Sequence, residues 1–123
     1  MQQTISNLIK SQLGIDYDQA ENHSEILINA FDHDHRILFW NKKAENYFGI
    51  NKNAAIGERF ESLLPYTANL PGMSILDDAL KGKSTRRENE KYILRSAYYK
   101  QLMQPVIKEG IIIAALNIVW DVN

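Results

Sequence analysis

Ile111-Ile112-Ile113-Ala114-Ala115-Leu116-Asn117-Ile118-Val119-Trp120-Asp121-Val122 is the stretch that decides the fold. It is the longest apolar run in the chain, broken only by Asn117. Its β-branched residues, and the turn at Glu109-Gly110 just before it, predict a strand rather than a helix. A half-buried strand alternates apolar and polar residues. This one does not, so both of its faces are expected to be covered. A strand that central, so late in the chain, asks the preceding residues for a sheet and two coverings.

The totals allow this. The 123 residues suffice for one domain around one core. Apolar residues at 45% and charged residues at 24% argue against disorder. A net charge of -1 gives no basis for a nucleic-acid or anionic-membrane partner. The chain has no cysteine, which excludes disulfides, thiolate nucleophiles, thiolate metal sites and cysteinyl cofactor adducts. It also fits a reducing cytoplasm, the expected location. No apolar segment approaches the ~20 residues that span a bilayer. No signal peptide is read at the N-terminus.

Working outward, residues 4–13 predict a short amphipathic helix, capped by Thr4, striped by Ile5, Leu8, Ile9 and Leu13, and stopped by Gly14. Alone it would be marginal. It needs the outer face of the sheet, or the same helix of a second chain, to lie against. Residues 16–25 read as a linker or irregular helix. Residues 26–32 and 36–39 predict a hairpin turning at Asp32-His33-Asp34-His35. Asn41 caps a helix through Phe48, with Gly49 as its stop. Helical turns follow at 51–57 and 59–64, then a loop at 66–72 and a helix at 73–81. The charged segment 84–92 predicts an edge strand protected from aggregation by its mixed charges. Residues 97–107 form the next strand and turn at Lys108-Glu109-Gly110 into the last. Hairpins at both ends imply an antiparallel sheet with helices grouped on one face, an α+β domain.

At this point the sequence resembles the PAS family of sensor domains over residues 26–123. The resemblance is carried by Ile28-Asn29-Ala30-Phe31-Asp32-His33-Asp34-His35-Arg36-Ile37, by Phe39-Trp40-Asn41-Lys42-Lys43-Ala44-Glu45 and by Phe48-Gly49. It continues through Ile56-Gly57, Pro105, Gly110 and Trp120-Asp121-Val122-Asn123. Two positions depart from the family pattern. His35 stands where a left-handed Gly is usual, and Asn123 where a Thr is usual. The resemblance implies a PAS-like five-stranded antiparallel sheet with its first and last strands adjacent and central, preceded by the amphipathic helix and linker of residues 1–25. It also implies which side chains face the cavity: Leu27, Asn29 and Phe31; Tyr99, Gln101 and Met103; Ala115, Asn117 and Val119. Ile28, Ala30, Leu116 and Ile118 then face the N-terminal helix or a partner.

Three amides, Asn29, Gln101 and Asn117, thus fall on one inward surface. A buried amide left unpaired costs about 1–3 kcal/mol, so they need partners. One reading is a small polar ligand held by these amides and Tyr99 against Phe31, Phe60, Leu63, Leu64, Met73, Leu76 and Met103. The other, preferred at the level of sequence, is that the amides bond each other and one or two waters, with the bulky residues filling the space.

Cofactors can be weighed in the same way. Phe60 occupies the place of the Cys that a flavin-adduct domain requires, and a coumaryl chromophore also needs Cys. Residues 73–81 lack the His that haem-binding relatives place there, and Met73 alone is a thin basis for haem. Non-covalent flavin is the remaining pigment, and the sequence does not favour it. His33, His35, Asp32 and Asp34 have the composition of a metal site, with His23 the only further ligand. Residues so close in a turn rarely converge tetrahedrally, so a solvated turn with Asp32 bonding backbone is expected, and no metal. Trp40-Asn41 reads as a packed ring plus a helix cap. No nucleophile–base pair, phosphate loop or carboxylate pair is present, so no enzyme is expected.

The sequence therefore predicts a sensory and dimerisation module of a larger signalling protein, such as a sensor histidine kinase, a cyclic-nucleotide enzyme or a transcription regulator. The end at Asp121-Val122-Asn123 is where the family passes into an effector, so the segment is expected to be cut at a domain border. Asp121 is the expected output residue. The alternative is a ligand-free homodimerisation domain using Ile5, Leu8, Ile9 and Leu13.

Overall fold

The apolar run forms β5 (Ile111–Val122), paired antiparallel on both sides. On one side lies β1 (Ile26–Phe31), followed outward by β2 (Ile37–Trp40). On the other lies β4 (Tyr98–Lys108), followed by β3 (Thr85–Lys91). The order β2-β1-β5-β4-β3 puts the first and last strands adjacent and β5 mid-sheet, as expected. The computed structural model describes residues 1–65, 71–91 and 98–122. Residues 66–70 of the loop expected at 66–72, and Tyr92, Ala97 and Asn123 in the expected strands and exit, lie outside the described residues, while Pro71 and Gly72, expected in that loop, open the helix that follows.

Six helices complete the described chain: α1 (Gln2–Leu13), α2 (Tyr17–Glu21), α3 (Lys42–Phe48), α4 (Lys52–Ala55), α5 (Phe60–Leu63) and α6 (Pro71–Leu80). α1 begins two residues earlier than predicted. Met1 occupies its N-cap without a side-chain bond, so Thr4 lies inside the helix rather than capping it. Gly14 closes it at φ 71. The segment left open as linker or irregular helix contains α2, fixed by a capping box in which Asp16 and Gln19 bond each other's backbone N–H. Asn41 caps α3 and Asn51 caps α4, each accepting from the amide three residues on. Pro105 is tolerated because β3 pairs with β4 no further than Thr85 opposite Met103, leaving that part of β4 at an edge.

The two faces carry separate cores. Ile28, Ala30, Leu102, Leu116 and Ile118 pack with Ile5 and Ile9 of α1 on the outer face. Leu27, Phe31, Met103, Ala115 and Val119 pack on the inner face with Trp40, Leu76 and Ala79. Burying each large aliphatic contributes about 1.5–3 kcal/mol, so α1 is held by the sheet it covers. Asn41 joins these layers. It is fully buried, its Oδ1 accepts from Ile28 N and Ala44 N, and its Nδ2 donates to Ala20 O and Ile26 O.

Candidate functional site

The register brings the three expected amides together on the inner face. Asn29 stands opposite Asn117, and Asn117 opposite Met103, while Gln101 lies opposite Val119. Asn117 Nδ2 donates to Asn29 Oδ1 at 2.9 Å, and Gln101 Nε2 donates to Asn117 Oδ1 at 2.8 Å. All three are buried. The row continues onto β3, where Arg87 stands opposite Gln101 and its Nη1 lies 3.5 Å from Gln101 Oε1. The amides do bond each other, the arrangement preferred from sequence. An amide nevertheless has two donor hydrogens and two acceptor lone pairs, and Asn117 spends one of each in this row.

Thr85, opposite Met103 on β3, shares the inner face. Its Oγ1 is buried with no hydrogen-bond partner among the described residues. Thr85 and Arg87 did not emerge from the sequence. Their segment reads as a charged edge strand, and only the β3–β4 register shows that Thr85 and Arg87 turn inward.

Most of the residues expected in the apolar wall pack together on the inner face. Phe31 meets Phe60 edge-on at 5.1 Å, and Trp40 stacks on Phe48 at 5.0 Å. Leu76 is buried, and Phe60, Leu63, Met73 and Tyr99 are half-buried against the same cluster. Leu64 is half-buried at the C-cap of α5, outside that cluster. Trp40 is a packed ring whose Nε1 donates to Ile50 O at 2.9 Å. Asp121 stands opposite Tyr99 near the end of β5. Of the four stripe residues, Ile5 and Ile9 are buried within the chain itself, while Leu8 and Leu13 are half-buried beside them.

The β1–β2 turn corrects one expectation. Asp32 accepts from Asp34 N at 2.8 Å and Arg36 N at 2.9 Å, the backbone-bonding role assigned to it. His35, however, is not a solvated turn residue. Its side chain is 16% exposed, with Nδ1 2.8 Å from Glu61 Oε2 and Nε2 2.7 Å from Asp77 Oδ1. His33 Nε2 lies 2.8 Å from Ile112 O, which ties the turn to β5. The composition of the turn was legible; the distant carboxylates, from α5 and α6, were not. Among the described residues no three His, Asp or Glu side chains are placed to share an ion. No helix among them is long and apolar enough to cross a membrane.

Known structures share this architecture. The PAS domain of the histidine kinase ThkA superposes with a TM-score of 0.63 at 24% identity, covering 79% of this chain and 99% of its own. A sensory box sensor histidine kinase from Vibrio cholerae superposes at 0.67 with 21% identity, covering 99% of this chain and 96% of its own. The PAS domain of nitrogen regulation protein NR(II) from Vibrio parahaemolyticus gives 0.62 at 16% identity, covering 85% and 95%. At these identities the likeness speaks for the fold. No curated protein sequence matches the chain. A family profile described as the PAS fold matches residues 22–123. With that match over most of its length, and with β1 and β5 side by side at the centre of an antiparallel sheet, the chain belongs to the PAS family.

Proposed function

We propose that this domain is the sensory module of a larger signalling protein, a sensor histidine kinase or transcription regulator, and that it binds a small polar ligand on the inner face of its sheet. The observation that supports this best is the Thr85 hydroxyl, buried without a partner among the described residues on the same face as the amide row. An orphaned buried hydroxyl costs about 1–3 kcal/mol, and a ligand that accepts or donates there removes that cost. Asn117, in the middle of the row, has donor and acceptor capacity left for the same ligand. The central polar groups are amides and a hydroxyl, which suits binding rather than proton transfer, so the module is not read as an enzyme. Occupancy shifts the population of β5 conformations, and Asp121, near the end of that strand, hands the shift to an effector.

Native mass spectrometry and a visible absorption spectrum of freshly purified protein test the ligand. A bound polar molecule, lost in Thr85→Val and Asn117→Leu, supports the reading; apo protein that no polar metabolite stabilises in a thermal-shift screen overturns it. In the full-length protein, Asp121→Ala should change output without unfolding the domain.

A second reading is a ligand-free homodimerisation domain. It is supported by Leu8 and Leu13, half-buried on the two edges of the α1 stripe, and by an open groove at the start of α1 lined by Met1, Gln2, Ile5, Tyr17, Leu38 and Phe39. Ile5 and Ile9 are already used within the chain, so a dimer formed here would use the exposed parts of Leu8 and Leu13. Light scattering on Leu8→Asp/Leu13→Asp decides it: a dimer that becomes a monomer supports this reading, and a wild-type monomer removes it.

A further inference from the structure

We propose that His35 is a proton-operated clasp which, when charged, ties α5 and α6 to the β1–β2 turn and, when neutral, releases one of them. The geometry carries this. Each ring nitrogen faces a carboxylate from a different helix, Glu61 of α5 at 2.8 Å and Asp77 of α6 at 2.7 Å. Ionised carboxylates only accept, so both contacts are hydrogen bonds only if both nitrogens carry protons. The neutral ring has one N–H, and its bare nitrogen would then face an anion.

The remaining groups around the clasp sharpen the effect. Glu61 Oε1 is buried with no hydrogen-bond partner among the described residues, so its own backbone N–H and the imidazolium are what favour this carboxylate's charge. Arg59 lies near enough to Glu61 to favour its charge, and its Nε donates to Asp34 O. Within the turn, Asp32 is engaged by backbone amides, His33 by Ile112 O and Arg36 by Gly57 O. The backbone of α5 stays attached whatever the proton does, because Phe60 N donates to His35 O at 3.0 Å. The helix free to loosen is α6, whose Leu76 covers the inner face.

Burial acts to lower the His35 pKa, but the hydrogen bonds and charges of Glu61 and Asp77 outweigh it, leaving it above the ordinary 6.5. Burial acts to raise that of Glu61, and is outweighed by its own backbone N–H and by His35, leaving it below the ordinary 4.5. The stabilisation from His35 is therefore whole below 6.5 and is lost as pH rises through its raised value. That from Glu61 is present above 4.5 and is lost as pH falls through its lowered value. The clasp is closed between the two.

Residue-resolved NMR of the whole chain, with amide exchange, tests this. His35 should titrate above 6.5, with both nitrogens protonated in the closed state. Opening of residues 75–80 should rise about tenfold for every pH unit by which His35 titrates above its ordinary value. Asp77→Asn should lower that midpoint. His35→Gly, which suits the left-handed backbone at φ 63, should fold and lose the pH dependence of α6. A wild-type His35 titrating at or below 6.5, or the same pH-dependent opening of α6 in His35→Gly, overturns the proposal.

Discussion

The two faces of the central strands are built to different rules. On the outer face, Ile28, Ala30, Leu116 and Ile118 meet Ile5 and Ile9 in an apolar layer. One residue along each strand, the inner face carries Asn29 and Asn117, extended by Gln101. Apolar packing needs only shape, so the outer face is spent on stability. Amides need specific partners, so the inner face accepts a cost in return for directionality. The contrast separates a surface that holds the domain together from one available for recognition.

The largest way to break this contrast is Ile118→Ala. Ile118 is fully buried beneath α1, and its truncation should cost about 2–5 kcal/mol in urea denaturation. Asn117→Leu, its inner-face neighbour, should cost a comparable amount, about 1–3 kcal/mol for each of the two groups left unpaired, because it strands Gln101 Nε2 and Asn29 Oδ1. Replacing all three amides by Leu should be less harmful than replacing Asn117 alone, since no orphan is left among them. A triple variant weaker than the single one would show that the amides do more for stability than satisfy each other.

How much of this was legible follows from range. β5 could be read because its burial is written in consecutive residues, and α3 because Asn41 and Gly49 mark its ends locally. The inward amides could be placed because a strand's period of two is fixed once the fold is known. Thr85 could not, since its facing depends on the β3–β4 register, which no short motif encodes. His35 shows the same limit. Its left-handed φ of 63 was anticipated from the family pattern, which usually has Gly there, but Glu61 and Asp77 lie 26 and 42 residues away. Asn41 was legible as a cap, whereas its bonds to Ile28, Ile26 and Ala20 were not.

The smallest effects sharpen the comparison most, because each face has its own unpartnered polar atom. Gln104 stands opposite Leu116 on the outer face, and its Oε1 is buried with no partner among the described residues. Thr85 Oγ1 is its inner-face counterpart. If the outer face serves stability alone, Gln104→Leu should raise the unfolding free energy measured in urea by about 1 kcal/mol, with ligand binding unchanged. Thr85→Val removes a hydroxyl with little change of shape and should also stabilise the free protein by about 1 kcal/mol. Binding should separate the two variants, because a ligand hydrogen-bonded to Thr85 loses that contact only in Thr85→Val. Equal stabilisation with equal, undiminished binding in both would make the Thr85 hydroxyl a packing imperfection, and would move the recognition surface away from the β3 side of the sheet.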